Sequence, residues 1–309
     1  MAGYDMHVHT TASDGKLPLE DLVPLAERKR LEGFCVTDHD TVKAAARAGK
    51  CSTSKVEIIP GIELGCKVEG KYTIEVLGYF VDPNNPALMH CCEMNKEYRL
   101  TRMKDVIWLV NRKLKKEIND CYRKSPPVMW PSEITLDEVI GAAGDEADSL
   151  SLDHLNQIFV KRGLSQGREA FKTWLSKDHK KSCYVERNAI DMERGLKAIK
   201  SSGGKGSLAH PALVPLDYRD LTDENVIEIM EKFFGYYIQA IEGNYNYCRI
   251  RPEAKKALKY KHKYWIEHGK KKGLIIVEGS DGHQKPNGPE LGERRTSAKI
   301  IEQLRRLKV

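Results

Sequence analysis

No stretch of the sequence approaches the roughly 18 consecutive apolar residues that a membrane-spanning helix needs, which excludes a helical membrane protein. The eight cysteines form no CxxC pair and no regular framework: Cys91 and Cys92 are adjacent, and Cys35, Cys51, Cys66, Cys121, Cys183 and Cys248 are scattered. A disulfide scaffold and a cysteine-ligated structural zinc are therefore excluded, and reduced, buried thiols are expected. No internal repeat or low-complexity tract is present, so a solenoid or a disordered chain does not fit. No charged-then-apolar segment precedes the first strand-like run. A soluble, cytoplasmic protein is the expectation.

What remains is a chain of 309 residues, 40% hydrophobic and 31% charged, long enough for one large α/β domain or a domain with an insertion. Its formal charge of +7 suits an anionic ligand. Much of that excess is diffuse lysine (Lys113, Lys115, Lys116; Lys255, Lys256; Lys270 to Lys272), which reads equally as solvated helix faces.

The pattern along the chain is β-α-β-α-β with a polar cluster after each strand. Residues 4–9 read as a strand, 17–30 as a helix with Pro18 in its first turn, and 34–37 as a buried strand delivering Asp38-His39-Asp40. An alanine-rich helix over 41–50 follows, then a strand at 56–59 broken by Pro60-Gly61 and delivering Glu63. Residues 64–68 and 72–81 flank Glu69-Gly70-Lys71 as a hairpin. From about 86 to 178 the chain turns helical and charged, with helices near 94–118, 134–143 and 152–160 and a loop at Ser125-Pro126-Pro127. Strand-like patterning resumes at 182–185, and strands at 206–209, 237–241 and 274–277 deliver His210, Glu242 and Ser280-Asp281-Gly282-His283. A long basic helix over 252–272 precedes the last strand, and Gly273 stops it. These bounds divide the chain into an α/β domain of residues 1–90 and 180–309 and a helical insertion of residues 91–179.

Five of the ten histidines end predicted strands, two of them in Asp5-Met6-His7-Val8-His9, and carboxylates stand beside them. Two histidines one residue apart face the same way only on an extended strand, where side chains alternate with period two. In parallel α/β sheets the sites lie at the carboxyl ends of strands. His7, His9, Asp14, His39, Glu63, His210, Asp281 and His283 thus form a candidate metal set. Mixed histidine and carboxylate donors without cysteine favour Zn, Mn or Fe, and so many donors exceed one ion, so two or three divalent ions sharing a carboxylate are expected. Clustered divalent ions in a basic protein suit metal-assisted hydrolysis of an anionic ester, with phosphorus as the reacting centre.

The successive motifs Asp5-Met6-His7-Val8-His9, Ser13-Asp14-Gly15, Thr37-Asp38-His39-Asp40, Pro60-Gly61-Ile62-Glu63, Leu77-Gly78-Tyr79-Phe80, Ala209-His210-Pro211 and Ser280-Asp281-Gly282-His283 resemble those of the PHP (polymerase and histidinol phosphatase) superfamily. The chain most resembles its stand-alone phosphoesterases, a group that includes nucleoside 3′,5′-bisphosphate phosphatases and 5′-3′ exoribonucleases. The resemblance implies a distorted (β/α)7 barrel with an inserted helical subdomain. It implies that His7, His9, Glu63 and Asp281 hold one ion, that Glu63 bridges to a second shared with His210, and that Asp14, His39 and His283 hold a third. A metal-activated water would attack, and His210 or Asp38 would assist proton transfer. The expected activity is hydrolysis of a small nucleotide or sugar phosphate.

Two positions depart from the family pattern. Where it has a histidine opening the Leu-Gly-Tyr-Phe strand, this chain has Glu75, which reads either as a harder ligand or as a strand-edge glutamate paired with a lysine. Where the insert normally carries Gly-Arg-Pro-His, this chain has Ser151-Leu152-Asp153-His154. His154 is retained as a substrate contact, and Lys181 and Arg102 are candidate replacements for the missing arginine, with Arg99 as an alternative. Each of those cations also reads as an ordinary surface charge. Other readings stay open: a cyclic phosphodiesterase, an exonuclease on short RNA using the basic helix, or a module that binds metal or nucleic acid without turnover.

Overall fold

The computed structural model describes residues 2–122, 132–164, 174–175, 182–245, 255–286 and 288–308. The expected loop at Ser125-Pro126-Pro127 and the first turn of the basic helix lie outside these residues.

In chain order the elements begin with β1 (Tyr4–Val8), α1 (Leu19–Arg28), β2 (Gly33–Val36), α2 (Ala48–Cys51), β3 (Glu57–Val68) and β4 (Tyr72–Tyr79). The helices α3 (Pro86–Tyr122), α4 (Leu136–Ala143) and α5 (Leu152–Lys161) follow. The remainder is β5 (Ile190–Asp191), α6 (Met192–Ser201), β6 (Lys205–Leu208), α7 (Val214–Asp217), α8 (Asp223–Glu231), β7 (Ile238–Asn244), α9 (Lys255–Lys271), β8 (Ile275–Glu278) and α10 (Ala298–Arg305). The sheet runs β1-β2-β3-β4-β6-β7-β8, with β5 added beside β3. Neighbours pair in parallel except at β4, which is antiparallel to both β3 and β6. The sheet curls until its ends meet: past β8, Gly282 N–H donates to His7 O at 3.2 Å, and His9 N–H donates to Gly282 O at 3.1 Å. This is the distorted barrel with a helical insertion.

Burial decides which residues fill it. All four residues of β2 are buried, as expected for a strand covered on both faces. Met6, Cys35, Ile59, Tyr79, Ala240 and Val277, from six strands, join one apolar cluster with Ile301 and Leu304 of α10. A larger cluster packs α1, α6, α8 and α9 onto the sheet. A third lies within the helical block, where Met103, Val106 and Val110 of α3 meet Val139 of α4 and Leu155 and Phe159 of α5. The first turns of α3 (Leu88, Cys91, Cys92) belong to the sheet's core instead, so one helix enters both cores.

Three local expectations differ from the structure. The strand at 56–59 does not break at Pro60-Gly61. Pro60 sits where β3 leaves β2 and Gly61 begins pairing with Tyr79 of β4, so the strand changes partner and continues to Val68. The helix over 41–50 shrinks to a 3₁₀ turn and α2, because Thr41 Oγ1 accepts from Lys43 N–H and donates to Asp148 across the chain. Residues 182–185 pair with no strand, and the chain joins the sheet only at β5.

α3 is fastened to the sheet by one buried carboxylate. Asp40 accepts from Gly65 N–H (2.8 Å) and Asn95 Nδ2 (2.7 Å) on one oxygen, and from Arg99 Nε (2.6 Å) and Arg187 Nη2 (2.5 Å) on the other. Asn95 also donates to Gly65 O and accepts from Ile190 N–H. Burial alone would raise the Asp40 carboxyl, but the two guanidinium groups outweigh it and hold the group down to about 2. A carboxylate depressed in the folded state stabilises the fold above its ordinary range and loses that contribution as pH falls through its folded value. Asp40→Ala, which strands the buried Arg99 and the largely buried Arg187, should cost about 3–5 kcal/mol in urea unfolding at pH 7. The difference from wild type should narrow as the pH is lowered toward 2.

Candidate metal centre

The parallel strands all point their carboxyl ends to one mouth, and the chain leaves each of them as a polar residue. His7 is in β1 and His9 just beyond it, on the same face. His39 follows β2 and forms a parallel bridge with Glu63, which lies inside β3. His210 follows β6, and Asp281 and His283 follow β8. Asp40, His210 and Asp281 have positive φ (53°, 23° and 54°), a conformation sparsely populated by residues with a Cβ. The backbone bends sharply where these side chains are presented.

Three sets of donors result, each with its atoms within 4.8 Å of one another: His7, His9, Glu63 and Asp281; His9, Asp14, His39 and His283; His39, Glu63 and Glu75. Glu63 joins them. Its Oε2 lies 3.3 Å from both His7 Nε2 and His9 Nε2 and 2.9 Å from His39 Nδ1, while Oε1 lies 2.9 Å from His210 Nε2. Asp281 Oδ1 is 2.9 Å from His9 Nε2, and Asp14 Oδ1 is 3.0 Å from His283 Nε2.

The donor atoms fit cations. Asp14 Oδ1, His39 Nδ1, Glu63 Oε2 and Asp281 Oδ1 are buried, yet none makes a hydrogen bond of acceptable geometry despite its close neighbours. Buried polar atoms without partners are rare, and four of them distributed over these three overlapping sets are what ligands to divalent ions look like. Protons otherwise stand in for the positive charge. Burial opposes a charge on His9, but Asp281 and Glu63 outweigh it and hold the ring up to about 10. Burial likewise opposes His210, and its hydrogen bond to Glu63 with the fields of Glu75 and Glu242 raises it to about 9. For the carboxyls burial is again the opposing influence: His7 and His39 hold Glu63 low, and His283 and His7 hold Asp281 low.

A further ring of residues aims the donors. His7 Nδ1 lies 3.1 Å from Glu242 Oε1, and Glu242 Oε2 accepts from His210 N–H at 2.8 Å, an arrangement that orients a ligating imidazole. Tyr245 Oη donates to Asp281 Oδ2. Glu242 was visible in the sequence as a strand end but stood outside the ligand set. Nothing in the pattern of residues 182–189 marked Arg187.

The remaining expectations fall out as follows. Glu75 shares features of both readings. It stands 3.7 Å from His39 Nδ1 and 3.6 Å from His210 Nε2, and its Oε1 accepts from Arg187 Nη1 at 2.8 Å, so its cationic partner is an arginine rather than a lysine. A Cβ at Gly65, opposite Glu75 in the β3–β4 pairing, would collide with that guanidinium. Asp38 does not face the donors. It accepts from Thr10 N–H (2.8 Å), Thr10 Oγ1 (2.7 Å) and Ser13 Oγ (2.5 Å), which occupies both oxygens in holding the loop that carries Asp14, so its expected role in proton transfer is replaced by a tether. His154 is buried at the start of α5, where its Nδ1 accepts from Ser151 N–H in a capping box. Arg102 donates to Val185 O at 2.8 Å and lies 5.2 Å from the Tyr184 ring. Lys181 lies outside the described residues.

Because ions compete with protons for these rings, their binding must release protons at neutral pH. Calorimetric titration of the metal-free chain with Mn²⁺ at pH 7.5, in buffers of different ionisation enthalpy, should show release of about one to two protons per chain. Affinity should rise with pH up to about 9–10, where His210 and His9 lose their protons unaided. A pH-independent affinity would show that the histidines are not ligands.

The chain is similar to known proteins over most of its length. A 5′-3′ exoribonuclease of Escherichia coli is 27% identical over 298 residues, covering 94% of this chain and 88% of that one. A 3′,5′-nucleoside bisphosphate phosphatase of Chromobacterium violaceum is 23% identical over 290 residues, covering 93% and 90%. The crystal structure of a protein from Bifidobacterium adolescentis, described as a metal-dependent phosphoesterase, superposes with a TM-score of 0.73 at 23% identity, over 100% of this chain and 98% of that one. The family model for the PHP domain matches residues 5–189, more than half of the sequence, and the chain belongs to the PHP domain family.

Proposed function

We propose that the chain is a metal-dependent phosphoesterase that hydrolyses a phosphate ester of a small nucleotide or sugar phosphate. The observation that carries this reading is that the three histidine–carboxylate sets interlock: the buried Glu63 belongs to two of them, and the third shares His9 with one and His39 with the other. His7, His9, Glu63 and Asp281 would hold one divalent ion, and His9, Asp14, His39 and His283 another. His39, Glu63, Glu75 and His210 form a third position, so the site takes two or three ions of Mn, Zn or Fe. When bound, such ions polarise the phosphoryl group and make water a competent nucleophile near neutral pH.

The side chains do the rest. Glu63 spans the ion positions and keeps their spacing. Glu242 holds the His7 ring through Nδ1, leaving Nε2 for an ion. His210, partly exposed where His7 and His9 are fully buried and hydrogen-bonded to Glu63 through Nε2, is placed to carry a proton to or from the reacting oxygen. The cyclic phosphodiesterase, which cleaves the same P–O bond in a ring, stays within this chemistry. Short RNA is the second substrate class, favoured by the exoribonuclease relative. The basic helix α9 supports it weakly, because Lys261 and Lys263 within it and Lys272 just past its end pair with Asp223, Glu267 and Glu231. Among the described residues no helix is long and apolar enough to cross a membrane, and Cys35, Cys51, Cys66, Cys91 and Cys92 are free thiols, which supports a cytoplasmic setting.

With Mn²⁺ supplied, the protein should hydrolyse p-nitrophenyl phosphate or its bis-ester. His39→Ala, which removes a donor common to two sets, should lower kcat/KM at least about a hundredfold, since even an outer partner of a metal ligand is worth 10–100-fold. Absence of turnover on both esters with metal bound, and no effect of the substitution, would leave a non-catalytic metal-binding module. Glu75→His should shift preference from Mn²⁺ toward Zn²⁺, read by competitive metal loading and mass spectrometry.

A further inference from the structure

Lys285 lies two residues beyond His283, in the loop that follows β8. Its Nζ donates to Asp14 Oδ2 at 3.0 Å and to Asp153 of α5. Asp14 is the carboxylate whose other oxygen, Oδ1, is buried among His283, His39 and His9 without a hydrogen bond. An ammonium thus stands directly against the outer side of a metal-set carboxylate. It is partly open, with its side chain 21% exposed, where that of Asp14 is 8% exposed. An ammonium has three donors, and two of the three here meet carboxylates. Lys16 and the buried His154 share the neighbourhood: both lie within the electrostatic reach of Asp14, Asp153 and Lys285.

The three described arginines near the cluster are already engaged. Arg99 and Arg187 are held by Asp40, and Arg187 also by Glu75. Arg102 is turned to Val185 O and the Tyr184 ring. An anion approaching the Asp14 side therefore meets Lys285, which touches Asp14 directly, with the exposed Lys16 beside it. A plain strut between α5 and the barrel would need no lysine beside a metal-set oxygen, because Asp148 N–H already donates to Ala12 O at 2.8 Å and fastens the same loop.

We propose that Lys285 contacts an anionic oxygen of the substrate's phosphoryl group, using its third N–H, and so sets affinity for phosphate at the Asp14 side of the site. The inference rests on the phosphoesterase reading. A charge-assisted hydrogen bond of this kind contributes about 1.5–3 kcal/mol, or roughly ten- to a hundredfold in affinity.

The test uses inorganic phosphate as the probe and does not require turnover. Binding of phosphate to the full Mn²⁺-loaded chain is measured by calorimetry for wild type, Lys285→Met and Lys285→Arg, alongside bound metal by mass spectrometry and the thermal midpoint. The expected result for Lys285→Met is phosphate affinity weaker by about tenfold or more with metal content unchanged, and partial recovery in Lys285→Arg. Where turnover is measurable, KM should rise with kcat little altered. Unchanged phosphate affinity with a lowered midpoint would show a strut and overturn the proposal. Loss of metal in Lys285→Met would show that the lysine acts through Asp14, and would overturn it as well. If wild type binds phosphate but hydrolyses no ester, the phosphoesterase reading fails while the lysine's contact is still decided by the binding series.

Discussion

Glu63 has no solvent exposure, and four imidazoles lie within 3.3 Å of its two oxygens. A buried carboxylate in that position is tolerable only with positive charge beside it, whether protons on the rings or ions among them. The barrel is built around that requirement. Each parallel strand arrives at the mouth with a polar residue, and no single strand could compensate the charge it brings. His7 and His9 come from β1, His39 from beyond β2, His210 from beyond β6, and Asp281 and His283 from beyond β8. The curled sheet satisfies a charge balance as well as an apolar core.

The same logic is repeated once, without histidine, at Asp40. There the compensation is permanent: two guanidinium groups, one amide side chain and one backbone N–H saturate the carboxylate. The contrast defines what each centre can do. Asp40 has no valence left for a ligand and works as a fastener between β3, α3 and the 182–189 segment. Glu63 keeps an oxygen without a hydrogen bond and is left with capacity to bind.

Most of the mouth was legible because two simple periodicities intersect there. Alternation on β1 puts His7 and His9 on one face, and each strand-ending cluster carries its own turn residues. The triplet Asp38-His39-Asp40 shows where legibility stops. Three adjacent polar residues look interchangeable as a motif, yet Asp38 holds the Thr10–Ser13 loop, His39 enters the cluster and Asp40 takes the arginines. Which residue turns which way depends on partners 24 to 147 positions distant, and composition carries no record of them. Arg187 was invisible for the same reason: it sits in an extended segment with no period, and its roles come only from where Asp40 and Glu75 happen to lie. The continuous β3 was hidden by Pro60, because a strand that changes partners looks, residue by residue, like a strand that ends.

Glu75 joins the two centres. Its oxygen is held by Arg187, and that arginine's other amine is held by Asp40, so a carboxylate at the edge of the metal cluster is aligned through the node that fastens α3. A histidine at position 75 would bring no charge and need no such alignment. A glutamate adds a negative charge, and Arg187 offsets it while leaving Oε2 directed toward His210. Gly65 completes the arrangement by leaving room for the guanidinium directly across the hairpin. The substitution of glutamate at this strand position and the buried arginine are therefore parts of one solution: the geometry of the insert's first helix is mechanically continuous with the ligand field at the mouth. A displacement of α3 that disturbs Asp40 must also disturb Glu75, the arginine-held carboxylate beside His39 and His210.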